Sequence, residues 1–110
     1  MESILTSIKK NLGLAEADTS FDQDIIMHIN SVFSILAQVG AGPIDGFYIE
    51  DASKTWNDFS PDNALLNFIK SYVYLKVRLL FDPPISSAAL EAMNKASEEL
   101  IWRINVAADN

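Results

Sequence analysis

The sequence predicts an all-α fold: a small bundle of three main helices plus a short N-terminal helix, with a β-hairpin-like loop between the second and third helices. Three observations carry this. Apolar residues recur at helical spacing through most of the 110 residues. The periodic stretches stop at glycine or proline: Gly13, Gly40-Ala41-Gly42-Pro43 and Pro83-Pro84. Phe47-Tyr48-Ile49, by contrast, has the aromatic and β-branched character of a strand. No repeat, low-complexity tract or linker interrupts the chain, so residues 1–110 read as one domain.

Ser3–Leu12 is the short helix. Ile4, Leu5, Ile8 and Leu12 mark its apolar face, Gly13 is placed to stop it, and Lys9 and Lys10 lie in the last turn, where the helix dipole favours cations. A helix this short is marginal alone and must dock. After an acidic connector, Ser20 and Gln23 have the spacing of a capping box, with Asp22 and Asp24 in the first turn. Phe21–Val39 follows, with Phe21, Ile25, Ile29, Val32, Phe33 and Leu36 on one face. His28, the only histidine, sits at the edge of that face and reads as a partly buried structural residue; Met27 points toward the polar side, where it would suit a subunit contact.

Residues 43–59 differ in kind. Asp45-Gly46 signals a turn, Phe47-Tyr48-Ile49 a strand, Asp51-Ala52-Ser53-Lys54 a second turn, and Thr55-Trp56 can return as a second short strand, so a small hairpin or an irregular loop is expected. Trp56 and Phe59 are the expected anchors to the helices, because a two-stranded ribbon does not stand alone in water.

Ser60-Pro61-Asp62 opens the central helix, Ala64–Phe81, with a capping serine, a proline and an acid; Asp82-Pro83-Pro84 closes it. Asn67, Lys70, Ser71, Tyr74 and Arg78 form one narrow polar stripe, and apolar residues cover the remaining circumference. Such a helix must be covered on several sides, by its own domain or by neighbouring copies. Lys76 breaks the pattern about 180° from the polar stripe. Either its stem lies along apolar surface while the ammonium reaches water, or it makes a buried or inter-subunit ion pair. Ser86 or Ser87 caps the last helix, roughly Ser87–Ala107. Ala89, Met93, Ala96, Leu100, Ile104 and Ala107 form one face, extended by Leu90 and Ile101, and Lys95, Glu98, Trp102 and Val106 lie opposite. Trp102 and Val106, one turn apart among charges, read as half of an interface with a polar rim. The candidate partner-facing residues are therefore Met27, Lys76, Arg78, Trp102 and Val106.

Composition sets bounds on function. Apolar and aromatic residues make up 49% of the chain, which excludes a disordered tail, and Lys70, Lys76 and Arg78 break the longest apolar run, so no membrane span is expected. Met1-Glu2-Ser3 lacks the basic residues of a signal peptide. Zero cysteines rule out disulfides, thiol catalysis and zinc-finger sites. A net charge of −7 argues against tight binding to nucleic acid, yet suits a wall that DNA slides past without sticking. There is no phosphate-binding loop or dinucleotide turn. The acid pairs Asp22/Asp24 and Glu98/Glu99 share helix faces poorly, so magnesium-dependent nucleotide hydrolysis has little support. No catalytic, cofactor-binding or metal residues and no cofactor are assigned.

Several phrases, in order, resemble the head–tail connector (adaptor) family of tailed bacteriophages, in the versions of Gram-positive phages and prophages. They are Ile8-Lys9-Lys10-Asn11-Leu12-Gly13-Leu14, Phe21-Asp22-Gln23-Asp24-Ile25-Ile26 with Ile29-Asn30, and Gln38-Val39-Gly40-Ala41-Gly42. Tyr72 through Pro84, YVYLKVRLLFDPP, and Glu99-Leu100-Ile101-Trp102-Arg103-Ile104-Asn105 complete the likeness, which spans nearly the whole chain. The resemblance implies a helical virion protein without enzymatic activity. It would form a ring of about a dozen copies on the portal protein, extend the channel for double-stranded DNA, and offer a platform to the stopper and tail. Its place would be the head–tail interface of the virion, and the bacterial host cytoplasm during assembly. An alternative from the same features is a small acidic helical regulator that binds a host protein as a dimer.

Overall fold

The computed structural model describes residues 2–61 and 63–108, with the backbone alone at residue 63. The described elements are α1 (Ile4–Asn11), α2 (Asp22–Gln38), the single turn α3 (Trp56–Phe59), α4 (Asn63–Phe81) and α5 (Ser87–Ala108). Helix α4 packs against both α2 and α5, and α1 packs against α2. Phe81, the last residue of α4, meets Phe21 and His28 at the start of α2, at 5.5 and 6.5 Å between ring centroids, so α2 and α4 run antiparallel. Helix α5 returns along α4 and ends beside Gly40, where an added Cβ would lie 3.7 Å from that of Ala108. The fold is a shallow slab, 38 × 35 × 19 Å.

Both early helices stop by the same device. Gly13 and Gly40 take φ of +82° and +84°, a region closed to most side chains. Around them the N–H groups of Gly13 and Leu14 donate to the carbonyls of Lys10 and Lys9, and those of Gly40 and Ala41 donate to Ala37 and Leu36. Each set is a Schellman cap, which satisfies carbonyls that a helix end leaves orphaned.

The link between α1 and α2 is tied by a lysine. Lys9 is 3% exposed, and its ammonium donates to the carbonyls of Glu16 (3.0 Å) and Asp18 (2.6 Å) while pairing with Asp22 Oδ1 at 2.8 Å. Two hydrogen bonds and one opposite charge thus meet the ammonium, and a buried cation is tolerated when it is paired. That Asp22 oxygen accepts no hydrogen bond among the described residues, so its link to Lys9 is one of charge alone.

The Ser20–Gln23 capping box expected for α2 does not form. The Ser20 N–H donates instead to Asp18 Oδ1 at 3.0 Å, holding the Asp18 carboxyl below its ordinary range, and Phe21 occupies the N-cap. Asp22 and Asp24 stand in the first turn as expected.

The hairpin expected between residues 47 and 56 is replaced by other pairings. The Ile49 backbone is tied to a side chain: its N–H donates to Asn30 Oδ1 (2.8 Å) and its carbonyl accepts from Asn30 Nδ2 (2.9 Å). Thr55 makes an isolated antiparallel bridge with Ser3, and the Ile4 N–H donates to Lys54 at 3.0 Å. The returning segment then turns helical. The Asp58 carboxylate accepts from the Thr55 N–H (2.8 Å) in a capping box, which lowers its pKa and stops the strand.

Trp56 and Phe59 are buried anchors, as expected. The Trp56 indole N–H donates to Ser7 Oγ at 2.9 Å, and the Ser7 hydroxyl donates to the Ile4 carbonyl at 3.0 Å. Phe59 stacks on Phe33 with centroids 4.9 Å apart, and Phe47 meets both edge-on. Gly42, at φ +90°, passes so close that a Cβ would come within 2.6 Å of the Phe59 ring. Asp62, part of the expected start of the central helix, lies outside the described residues; Ser60 ends α3 in extended conformation. On α5 the packing face is centred on Leu90, Ser97, Ile101 and Ile104, and the expected face members Ala89 and Ala107 are exposed.

Two measurements test this account. Lys9→Ala leaves the Asp22 carboxylate and two carbonyls short of a donor and should cost about 3–5 kcal/mol in chemical denaturation, against under about 0.5 for exposed Lys95→Ala. Gly42→Ala combines left-handed strain with a clash against Phe59 and should cost about 2–4 kcal/mol by the same assay.

Candidate interaction surface

Total exposed area is ordinary. The chain exposes 6431 Å², against about 6,100 Å² for a folded monomer of this mass. What stands out is where apolar side chains sit. Ile44 and Ile85 are fully exposed, and Phe21, Met27, Tyr48, Phe68, Leu80, Trp102 and Val106 are each at least 40% exposed.

Helix α5 is the most lopsided element. Of its 22 residues only Ser97 and Ile104 are buried, because it packs on α4 along one face. Trp102 (63% exposed) and Val106 (45%) lie on the outward face. Beside them Arg103 pairs with Glu99 at 2.9 Å, and Lys95 pairs with Glu91 at 3.2 Å two to three turns nearer the start of the helix, both exposed i,i+4 pairs of little stabilising value. The result is an apolar pair bordered by charges toward the start of the helix, a mixture found at protein interfaces.

The other expected residues are placed separately. Met27 is 58% exposed on α2, with Asp24, Ser31, Ser34 and Gln38 on the same outward side. Met27 and Trp102 stand on different helices, each packed on α4. Arg78 serves its own helix: its Nε–H donates to the Asp82 carbonyl at 2.7 Å and Nη1 reaches the Tyr74 hydroxyl at 3.4 Å. Lys76 is half-exposed and in no ion pair among the described residues, which fits a stem lying along apolar surface. The five residues therefore do not form one site.

Ile44 and Ile85 escaped the sequence reading because periodicity says nothing about loops. Their flanks held the signal: Gly42-Pro43 before one and Pro83-Pro84 before the other, rigid turns that project the next side chain. The Gly46 N–H donates to the Pro43 carbonyl at 2.9 Å and closes the first turn.

The chemistry available is that of contact surfaces. His28 packs edge-on to Phe81, half-buried, with no acid–base partner among the described residues. No group of three potential metal-ligating side chains occurs among the described residues, and no helix there is long and apolar enough to cross a membrane. The open cavities are shallow. One of about 400 Å³ is lined by Phe47, Tyr48, Glu50, Asp51 and Lys54, and one of about 310 Å³ lies against Gly40, Gly42, Pro43 and Ile44.

A family model described as phage connector protein matches residues 4–110. No curated protein and no solved structure matches the chain.

Because Trp102 lies outside the core, Trp102→Ala should change unfolding free energy by no more than about 1 kcal/mol. A larger loss in thermal or chemical denaturation would place it in the packing of α5 on α4.

Proposed function

The chain belongs to the phage connector protein family, and from that premise we propose that it works as the adaptor between head and tail. In this reading it docks on the portal as a ring of copies, extends the DNA channel, and gives the stopper and tail a platform. It works by contact alone, without catalysis or cofactor. Its site of action is the head–tail interface of the virion, reached from the host cytoplasm during assembly.

One observation carries the reading: the outward face of α5, where Trp102 and Val106 are exposed beside the Arg103–Glu99 ion pair. A large aromatic ringed by polar groups is the usual anchor of a protein contact. A ring requires two unlike surfaces on each copy, because the contact is head-to-tail. The Met27 side of α2 and the Trp102 side of α5 flank α4 and supply such a pair. Lys76 and Arg78, half-exposed on α4, would contribute at the margin. The charge of −7 per copy, repeated around a ring, repels phosphate and suits a bore through which DNA moves.

The test is assembly. Purified protein mixed with its portal ring should give a complex visible by electron microscopy and by sedimentation, and antibodies should label it in intact particles. Trp102→Ala should reduce the bound fraction about tenfold or more while the variant melts like the parent. Absence from virions, or undiminished portal binding by Trp102→Ala, would overturn the role or the surface respectively.

A further inference from the structure

Helix α4 has one side that its own fold leaves open. Phe68, Ser71, Leu75 and Arg78 follow at steps of three, four and three residues, so they share a face, about 180° around the helix from the buried Ile69, Val73 and Val77. Phe68 is 40% exposed, Ser71 is exposed, and Leu75 and Arg78 are half-buried. On α5 the exposed residues Glu91, Lys95, Glu98 and Trp102 follow at steps of four, three and four. Such steps keep side chains in line along a seam between two helices. The charges of the two helices are opposite. Helix α4 carries Lys70, Lys76 and Arg78 and no acid, and none of the three pairs with a carboxylate among the described residues. In a chain with 15 acids against 8 lysines and arginines, three such cations on one helix call for a carboxylate from outside the protomer. On α5 the pairs Glu91–Lys95 and Glu99–Arg103 leave Glu98, one turn before Trp102, without a cation among the described residues.

We propose that the open face of α4 receives the Trp102 face of α5 from a second copy of this chain. Trp102 seats over Ser71, whose small side chain leaves room between Phe68 and Leu75. The two helices run antiparallel, as they do within one copy. Glu98 then lies about 6 Å from Trp102 along the seam, and Arg78 lies about 10 Å from Ser71 in the same direction, a difference their side chains span. Charge and apolar area together select the occupant. Helix α2 contains no lysine or arginine and offers Glu98 nothing. A DNA backbone would meet the cations but leave Phe68 and Leu75 uncovered. The contact joins unlike surfaces, so it propagates head to tail. It presupposes the ring of the adaptor reading and gives α4, rather than α2, the contact with Trp102.

The test is cross-linking of the portal-bound protein. The chain has no cysteine, so Asn67→Cys and Asn105→Cys, at exposed positions beside the seam, introduce its only thiols. With both in one chain, a short bismaleimide should give a ladder of multimers spaced by the mass of this chain; either alone should give nothing beyond a dimer. Arg78→Glu and Glu98→Arg, each added to that chain, should lower the laddered fraction about tenfold, and the two together should restore it. Bound protein that gives no ladder, a ladder that neither reversal lowers, or a double reversal that does not restore it overturns this contact and leaves the adaptor reading standing. An intact ladder with weakened hold on DNA after Arg78→Glu assigns the cations to phosphate and overturns the contact as well. Failure of the parent chain to bind the portal overturns the adaptor reading, and the contact with it.

Discussion

Much of the fold hangs on one buried ammonium. Helix α1 has eight residues, too few to hold its shape unaided. Lys9 fastens it by donating to two carbonyls of the connector and pairing in charge with the first residue of α2. Once α1 is seated, Ser3 and Ile4 hold the backbone at Lys54 and Thr55, and Ser7 holds the Trp56 indole. Trp56 and Phe59 then close the aromatic cluster over Phe33, and Gly42 must pass beneath Phe59 with no side chain of its own. The order runs from a charge to a short helix, to a loop, to the core. Each step holds down the backbone that the next one needs.

This division of labour explains why the surface can be spent on contacts. The core is built by α1, α2, the irregular loop, α3 and one side of α4, which together supply every buried apolar residue among those described except Ile104. Helix α5 adds little to that core and leaves its outer side to others. Such an element suits a phage connector protein: seated on α4 along one side, with Trp102 exposed on the other.

The helices were legible because their signals are local. Spacing and the glycine and proline stops placed α1, α2, α4 and α5 within a residue or two of their observed bounds. The loop was not legible, and Asn30 shows why. It lies in the middle of α2 and satisfies the backbone of Ile49, nineteen residues away, so the strand-like segment finds its partner in a side chain that no short-range pattern reveals. The lysines teach the same lesson. Lys76 breaks a periodic pattern and draws attention, yet stays half in solvent; Lys9 sits where a helix dipole already explains a cation, and is the one that is buried. Periodicity reports which way a side chain points, but not what the connector folds over it. Trp102 was readable as an outlier on a charged face, whereas Ile44 and Ile85 stand on turns, which have no face to violate.

The one-sided seating of α5 has a kinetic consequence. A long helix held by a single apolar seam opens to solvent before elements packed on several sides, so local unfolding of this chain starts at its C-terminal end. Deuterium uptake in the isolated molecule would then run ahead in the last helix and lag in the aromatic nucleus. A neighbour laid against the outer side of that helix would close the gap, so that the chain acquires its final rigidity only at the moment it is built into something larger.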